Sequence, residues 1–289
     1  MSSVLAVFGP TASGKTAVAE AVADRVPAEL VSADAMQVYR GVPILTNQSS
    51  RPTRLVALWP LSHEASLGEY ETLAHAAVDE ALGAGRTPVV VGGTGLYLRA
   101  AVSDLHLPPP PPPGARERWD ALYEERGAAA AHAELGRLDP AAAAQVHPND
   151  RRRVVRALEL AEAGTSLRPT RDRLWSEETR HPTLFLGLDV PADELARRIA
   201  ARTRTMVERG VVDEARAAAA GTLSATARTI QGLREFSELP VEQAVAEYDA
   251  RVRRYAAYQR KWMRRIPAIR MLDGTRPADE LATEILALR

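Results

Sequence analysis

Short apolar runs rich in β-branched residues alternate with helical patterns along the first third of the chain. The runs are Val4 to Phe8, Glu29 to Ala33 and Thr87 to Val91. Between them, apolar positions recur at helical spacing from Ala17 to Val26 and from Leu67 to Leu82. Apolar strands that alternate with helices are typical of a parallel sheet covered on both faces. The pattern therefore predicts an α/β core.

The pattern changes after six consecutive prolines, Pro108 to Pro113, which predict a stiff connector. Residues 115 to 146 are alanine-rich with helical character only, and a capped helix is predicted over 151 to 163. An apolar strand over 183 to 190 returns the chain to the sheet. We predict a core over 1–113 and 177–289, interrupted by a small all-helical insertion domain over 114–176.

The remaining segments have weaker patterns. Helices are predicted from Pro191 to Arg209, in the alanine-rich stretch that ends at Gly221, and from Val245 to Ile266. Residues 43 to 68 are rich in Pro, Ser, Thr and Asn, and we expect loops there around a short strand, Leu55 to Leu58.

The first strand leads directly into a glycine-rich loop, Gly9-Pro10-Thr11-Ala12-Ser13-Gly14-Lys15-Thr16, which fits G-x-x-x-x-G-K-[ST]. Backbone N–H groups and Lys15 suit phosphate oxygens, and the Thr16 hydroxyl suits Mg²⁺. The following helix directs its positive N-terminal end at the same anion. The motif predicts a P-loop NTPase-like core with a bound di- or triphosphate, but it does not identify the reaction. The expected contacts are Gly9, Thr11, Ala12, Ser13, Gly14, Lys15 and Thr16.

Composition narrows the possible chemistry. The chain has no cysteine, which excludes disulfides, zinc fingers and a thiol nucleophile. Its formal net charge is zero, so nucleic acid binding would depend on local patches. No apolar run approaches the ~20 residues of a membrane span, and we expect a soluble cytoplasmic protein. Only Lys15 and Lys261 are lysines among 37 basic residues, so the loop lysine indicates a need for a compact ammonium.

Two loops that follow predicted strands carry candidate catalytic groups. Asp34 lies at the end of the second strand, where parallel sheets bind ligands. Thr94 follows the third strand within Gly92-Gly93-Thr94-Gly95, where most P-loop ATPases and kinases have an Asp that helps to hold Mg²⁺. The glycines would let the backbone approach a ligand, and Thr94 would reach a leaving oxygen or a phosphate. The alternatives are structural, with Asp34 and Thr94 each acting as a helix N-cap.

Two helices concentrate basic residues on this neutral chain. The first carries Arg151, Arg152, Arg153 and Arg156, which suit phosphate contacts. The second lies in a stretch from Arg251 to Arg270 that has eight basic residues and no acid. A nucleic acid interface and a solvated charged face both remain open for these helices.

Helical spacing divides the second basic helix into two faces. The predicted inward stripe consists of Val252, Tyr255, Trp262 and Ile266. The predicted outer face consists of Arg251, Arg254, Tyr258, Lys261 and Arg265.

Six stretches, spread in order over nearly the whole chain, together resemble the bacterial tRNA dimethylallyltransferases. They are GPTASGKT (Gly9–Thr16), SADAMQVYRG (Ser32–Gly41), GGTGLYL (Gly92–Leu98), HPNDRRRVVRALE (His147–Glu159), Met206–Glu214 and RRYAAYQRKWMRR. This resemblance is far more specific than the phosphate-binding loop alone.

The resemblance implies transfer of a five-carbon group from dimethylallyl diphosphate to the exocyclic amine of the adenosine just 3′ of the anticodon in tRNA. Diphosphate leaves. The phosphate-binding loop would hold the prenyl diphosphate with Mg²⁺ instead of ATP. The implied partners are dimethylallyl diphosphate and the anticodon stem-loop, without zinc or membrane, and we expect a monomer.

Residue roles follow from the same resemblance. Asp34 matches the general base and Thr94 the residue that stabilises the leaving oxygen. The segment that reads the flipped target adenosine matches Asp34, Ala35, Met36 and Gln37. Further tRNA contacts are expected at Arg116, Arg152, Arg153, Arg156, Lys261 and Arg265.

The chain departs from the family pattern at three places, none of which involves Asp34, Thr94 or Lys15. Ala35 stands where the family usually has Ser, and Leu233 stands where it has Tyr. Residues 43 to 66 are shorter than usual and different, which affects any substrate contacts in that loop.

Three other functions remain open at this stage. A P-loop small-molecule kinase would explain Lys15 and Thr16, but not the basic aromatic helix. An adenylate isopentenyltransferase would prenylate free AMP or ADP, although the insertion and the basic helix favour an RNA acceptor. A non-catalytic RNA-binding protein with a vestigial nucleotide site is the third alternative.

Overall fold

The computed structural model describes residues 3–108, 110–167 and 174–288. Pro109 of the proline run and residues 168–173 of the predicted insertion lie outside the described residues. Contacts group the chain into two compact units, Met1–Leu105 with Leu174–Arg289, and His106–Arg173. The first boundary therefore precedes the prolines, whereas the sequence pattern had placed it after them.

A parallel sheet forms the centre of the first unit. Its strands are β1 Val4–Phe8, β2 Ala28–Ser32, β3 Thr87–Gly92, β4 Thr183–Asp189 and β5 Arg270–Asp273, in the order β2-β3-β1-β4-β5. All four strand pairings are parallel. The α/β fold and strands β1 to β4 confirm the sequence prediction. Strand β5 was missed because Arg270 and Met271 face solvent at the sheet edge, which leaves no apolar run to recognise.

Eleven helices occur in the described residues. They are α1 Lys15–Ala23, α2 Leu67–Gly83, α3 Gly95–Val102, α4 Ala115–Leu138, α5 Pro140–Ala143, α6 Arg151–Glu162, α7 Ala192–Glu208, α8 Val211–Ala219, α9 Leu233–Glu238, α10 Val241–Met263 and α11 Ala278–Ala287. Most match predicted helices, but α9 and α11 were not predicted, and α10 begins and ends earlier than expected. No helix of the described residues has the length and apolar character needed to cross a membrane.

The sheet separates two apolar clusters in the first unit. Along β1, Ala6 and Phe8 belong to the cluster that includes residues of α2, α3, α7 and α10. Leu5 and Val7 belong to the opposite cluster, which α1 and α11 complete. This alternation follows from the two-residue side-chain period of a strand. Because both faces are covered, the ends of the strands are where the sheet can meet a ligand.

The predicted strand Leu55 to Leu58 is wrong. Leu55 and Ala57 adopt φ values of 66° and 54°, in the left-handed region that interrupts an extended strand. Only isolated bridges form nearby, from Arg54 to Val31 and from Trp59 to Tyr39. The segment is a loop that lies along the end of β2.

The second unit is helical, as the sequence predicted. Helices α4 and α6 pack around a small core that contains Leu135, Val154 and Leu158. Helix α4 is interrupted at Gly127, whose φ is 78°. Alanine and charged residues dominate the rest of α4, so its burial depends on a few positions.

Candidate active site

The sheet order brings three loops to one edge of the first unit. Strands β2, β3 and β1 are parallel neighbours, so their C-terminal ends face the same side. These ends lead to Asp34, to Thr94 and to the phosphate-binding loop, respectively. Side chains from all three loops line one cavity of about 240 Å³. The fold therefore unites the two predicted catalytic residues with the predicted phosphate site.

The phosphate-binding loop owes its shape to small residues. Gly14 has a φ of 89° and begins α1, and Ala12 has a φ of 66°. A Cβ on Gly9 would lie 2.4 Å from Oγ of Ser13, so only glycine fits there. Among the predicted contacts, those that line the cavity are Thr11, Lys15 and Thr16, while Gly9, Ala12, Ser13 and Gly14 form the turn.

Lys15 has an unusually acidic ammonium group. Burial lowers its pKa to about 8, the carboxylate of Asp34 opposes this shift, and the guanidinium of Arg202 adds to it. Its Nζ lies 3.5 Å from the carbonyl oxygen of Pro10. An ammonium with so few local partners is available to an incoming anion.

The lowered pKa of Lys15 predicts pH-dependent binding of phosphate ligands. Below pH ~8, Lys15 of the free protein is already protonated. Above this pH, Lys15 must take up a proton when the phosphate ligand binds, so the affinity falls by up to about tenfold per pH unit. Calorimetric titration with pyrophosphate from pH ~6.5 to ~9.5 measures this dependence. The Lys15→Arg variant, which stays charged, corrects for titration of the ligand itself. Equal pH profiles for the two proteins would contradict the prediction.

Arg202 is a cavity residue that the sequence analysis missed. It projects from α7 into the cavity wall, and its Nε is buried without a hydrogen-bond partner among the described residues. A buried, unsatisfied guanidinium N–H is costly unless a ligand pairs with it. Together with Lys15 it gives the cavity a second cation. No signal separates Arg202 from the other arginines of α7 until the fold directs it inward.

Asp34 lies half-buried in the cavity wall, and its Oδ1 accepts a hydrogen bond from the backbone N–H of Met36 at 2.9 Å. No helix begins there, so the helix-cap alternative is wrong and the carboxylate closes a turn. The backbone N of Ala35 lies 3.4 Å from Oγ1 of Thr94. The turn therefore holds the two predicted catalytic residues together.

Thr94 occupies the N-cap position of α3, but its hydroxyl makes no cap hydrogen bond. It interacts instead with the hydroxyl of Tyr255, on α10. Burial and the nearby Asp34 raise the pKa of Tyr255 to about 12, although interactions with Thr94 and Gln259 oppose the shift. Tyr255 therefore stays protonated and can donate to Thr94. Sequence spacing had placed Tyr255 in an inward stripe without assigning it to the site.

Gln37 uses its side-chain amide within the protein. Its Oε1 accepts from Oγ of Ser32 at 2.7 Å, and its Nε2 donates to the carbonyls of Thr46 and Asn47, each at 3.1 Å. Ala35, Met36 and Gln37 all line the cavity. The Gln37 side chain therefore stabilises the cavity wall. Recognition of adenosine by Gln37 stays a prediction.

Glu214 of α8 anchors the loop that follows. Its carboxylate accepts the backbone N–H of Ile44 at 2.9 Å and that of Leu45 at 2.7 Å. Leu45, Thr46 and Asn47 line the cavity. Helix α8 therefore anchors part of the cavity wall that belongs to residues 43–66, the segment that departs from the family pattern.

The donor set around Thr16 suits a cation that arrives with phosphate. Thr16 and Asp34 bring a hydroxyl and a carboxylate to one cavity. Mg²⁺ is commonly held by one or two such protein oxygens together with phosphate oxygens and waters. No group of three or more His, Cys, Asp or Glu side chains that could hold a metal occurs in the described residues. The residues present fit Mg²⁺ bound jointly with a diphosphate.

The predicted tRNA contacts of the second unit divide into paired and unpaired arginines. Arg116 and Arg156 donate to the buried carboxylate of Glu159 at 2.7 Å and 2.9 Å. Burial alone would raise the pKa of Glu159, but these hydrogen bonds lower it below its ordinary value. Arg152 and Arg153 are exposed and make no ion pair within the described chain. Arg116 and Arg156 thus have a structural role whether or not they also contact RNA.

The basic face of α10 matches the prediction in part. Lys261 and Arg265 are exposed, but Arg265 lies beyond the helix end, with its guanidinium carbon 3.9 Å from the ring centroid of Trp175. Arg251 pairs with Glu235 at 2.8 Å, so it is not a free surface charge. Val252 and Ile266 are buried as predicted, whereas Tyr255 and Trp262 are partly exposed.

Comparison with known proteins gives consistent results. The family model "IPP transferase" matches residues 37–266, and "Isopentenyl transferase" matches residues 2–55. The tRNA dimethylallyltransferase of Thermobifida fusca is 39% identical over 96% of this chain and 92% of its own. That of Streptomyces coelicolor is 39% identical over 94% of this chain and 90% of its own.

Solved structures share the fold along the full length of the chain. The tRNA isopentenylpyrophosphate transferase of Bacillus halodurans has a TM-score of 0.69 and 30% identity, covering 100% of this chain and 95% of that one. A eukaryotic dimethylallyltransferase acting on tRNA has a TM-score of 0.80 at 24% identity, covering 100% of this chain and 80% of that one, and it supports the fold. With a family model matched over most of its residues and relatives matched nearly end to end, the chain belongs to the IPP transferase family.

Proposed function

We propose that the protein is a tRNA dimethylallyltransferase. It transfers the dimethylallyl group from dimethylallyl diphosphate to N6 of the adenosine 3′-adjacent to the anticodon. The observation that carries the proposal is the single cavity in which Lys15 and Thr16 meet Asp34 and Thr94. The family membership and the tRNA-modifying names of the relatives support it.

The reaction exchanges one bond for another. The adenine amine attacks the first carbon of the dimethylallyl group, a C–N bond forms, and the C–O bond to diphosphate breaks. The proton of the amine passes to the carboxylate of Asp34, which is held by its turn with Met36. Removing this proton prevents an unfavourable charge on the nitrogen and accounts for ~10²–10⁴ in rate.

The leaving diphosphate gains negative charge as the C–O bond breaks. Lys15 and Arg202 both line the cavity and would face this charge, and the Thr94 hydroxyl would donate to the departing oxygen. Preorganised donors of this kind stabilise a developing anion without reorganisation during the step. Thr16 would help to hold Mg²⁺, which would supply further charge neutralisation when bound.

The acceptor adenosine must leave the base stack to reach the cavity. Enzymes that modify a base atom extrude the base into a pocket, and an anticodon loop presents bases that are already partly unstacked. Met36 and Gln37 lie in the wall where the base would enter. Arg152 and Arg153 of α6 and Lys261 of α10 offer cations for phosphates.

A transfer assay tests the function directly. Labelled dimethylallyl diphosphate and Mg²⁺ are supplied with unmodified tRNA, with a tRNA that lacks the target adenosine, or with AMP. Label is expected only in the tRNA that carries the adenosine. Label in AMP would instead indicate an adenylate isopentenyltransferase, and ATP-dependent phosphorylation of a metabolite without prenyl transfer would indicate a kinase.

Removal of the exposed charges at Lys261 and Arg265 is expected to weaken tRNA binding, most strongly at low salt. Replacing both with alanine should lower the slope of log K against log salt by about one per lost phosphate contact. Filter binding across a salt series gives the slope. The control is Arg197→Ala, which removes an exposed arginine that pairs with Glu194. An unchanged slope would indicate that this helix presents a solvated charged face that does not contact tRNA phosphates.

A further inference from the structure

Gln259 is a buried side chain of α10 that joins two loops of the cavity. It is 3% exposed. Its Oε1 accepts the backbone N–H of Thr11 at 2.9 Å, and its Nε2 donates to the backbone carbonyl of Gly93 at 2.8 Å. Because one partner is a donor and the other an acceptor, the orientation of the amide is fixed. One side chain therefore links the phosphate-binding loop to the loop that carries Thr94.

The loop after β3 is shaped to receive α10. A Cβ on Gly93 would lie 2.3 Å from Nε2 of Gln259, and a Cβ on Gly95 would lie 2.2 Å from Cε3 of Trp262. Similarly, a Cβ on Gly92 would lie 2.0 Å from the carbonyl oxygen of Ala33. The sequence predicts that glycines of this loop allow close approach by a ligand. The structure fills the space beside all three with protein.

The same helix also reaches the hydroxyl of Thr94. Tyr255 lies one turn before Gln259 on α10, and its hydroxyl interacts with the side chains of both Thr94 and Gln259. Residues one turn apart on a helix share a face. One face of α10 therefore contacts the backbone of both loops and the side chain that is expected to meet the leaving oxygen.

The bond to Thr11 also removes one donor from the phosphate-binding loop. Thr11 lines the cavity, yet its backbone N–H already donates a 2.9 Å hydrogen bond to Gln259 within the protein. A diphosphate must therefore be held by the other groups of the loop and by Lys15. Gln259 thus limits the positions that the diphosphate can take as well as holding the loop.

We propose that Gln259 is a positioning residue for prenyl transfer, which sets the separation between the phosphate-binding loop and Thr94. The inference rests on the proposed function. Both loops must contact the same leaving diphosphate, and a misplacement of about 1 Å in such an arrangement costs ~10²-fold in rate. Strands β1 and β3 pair as far as Phe8 and Gly92, so the sheet sets the spacing where the two loops begin, and Gln259 sets it farther along, at Thr11 and Gly93.

The first test removes the two backbone hydrogen bonds and the interaction with Tyr255, while keeping the approximate size of the side chain. Gln259→Met is expected to lower kcat by ~10–100-fold, with the KM for tRNA within about twofold of the wild type. Gln243→Ala, an exposed glutamine on the same helix, serves as the control and should behave like the wild type. Circular dichroism melting of each variant establishes that it is folded.

The second test distinguishes positioning from simple stability. In Gln259→Glu the ionised carboxylate accepts from Thr11 but repels the carbonyl of Gly93, whereas the protonated acid restores one donor and one acceptor. Burial raises the pKa of such a carboxyl, so its protonation is expected near neutral pH. The rate of this variant relative to the wild type should therefore rise about tenfold from pH ~8 to pH ~6. The ratio to the wild type cancels the titration of Lys15, and Tyr255, with its pKa at about 12, does not titrate in this range.

The outcomes separate this inference from the function on which it rests. No prenyl transfer by the wild type would overturn the proposed function itself. An active wild type with a Gln259→Met kcat within about twofold, or with a Gln259→Glu ratio that does not change with pH, would overturn the positioning role alone. If Gln259→Met does not fold, the pH dependence of the Gln259→Glu ratio decides the question.

Discussion

Replacing Asp34 with asparagine is expected to lower the turnover for prenyl transfer by ~10²–10⁴, while tRNA binding stays within a few fold of the wild type. Asparagine keeps an Oδ1 that can accept the N–H of Met36, so the turn that orients residue 34 is preserved. It removes the carboxylate that we propose takes the proton of the amine. Single-turnover transfer at saturating substrates, with filter binding of tRNA, measures both effects.

Asp24 provides the matched control for this substitution. It is an exposed carboxylate that pairs with Arg51 outside the cavity, so Asp24→Asn should transfer at the wild-type rate. Asp34→Ala should lose as much activity as Asp34→Asn if the carboxylate itself is required. Substantial residual turnover in either Asp34 variant would remove this residue from the role of base.

Replacing Lys15 with methionine is expected to reduce kcat/KM for dimethylallyl diphosphate by ~10²–10³. The variant keeps an apolar stem of similar length but loses the ammonium that we propose faces the leaving diphosphate. Arg202 is left as the second cation of the cavity wall. Steady-state kinetics at saturating tRNA give the change in the diphosphate-dependent step.

Lys261, the other lysine of the chain, is the natural control. It is exposed on α10, so Lys261→Met should alter the KM for tRNA and leave the KM for dimethylallyl diphosphate unchanged. A Lys15→Met enzyme that uses dimethylallyl diphosphate as well as the Lys261→Met enzyme would exclude the proposed role of Lys15.

The parts of the fold that could be predicted are those specified by local pattern. Strands β1 and β3 are mainly apolar and are buried throughout, and the glycine-rich loop between β1 and α1 has a fixed spacing. These features predict strand, turn and helix without knowledge of the rest of the chain. The parallel order of strands then brings Asp34 and Thr94 to the phosphate-binding loop, as expected for this class of sheet.

The parts that failed depend on contacts between distant segments. Strand β5 has one buried residue, Leu272, and exists because it pairs with β4. The side chains of Leu55 and Ala57 do not argue against a strand, but both residues adopt positive φ in the loop that they form. Pattern reasoning has no access to either condition.

The same limit applies to the candidate site. Arg202 is one of several arginines in α7, and its burial in the cavity wall follows only from how α7 packs. Gln259 lies in the stretch in which the sequence predicts a basic surface helix, but its side chain is buried and joins two loops of the cavity. Its two partners are backbone atoms, which no sequence pattern marks.

The hydrogen bonds from Ile44 and Leu45 to the carboxylate of Glu214 affect how this enzyme can change over evolutionary time. Both hydrogen bonds end on backbone N–H groups, which every residue except proline provides. Substitutions at these two positions therefore leave the anchor in place unless they introduce proline. Leu45 is itself a buried core residue, so change is confined to the other side chains of this wall, such as Thr46 and Asn47, which mutation can remodel while the backbone stays attached to α8. Lineages can therefore diversify the contour met by a substrate without first having to evolve a new loop.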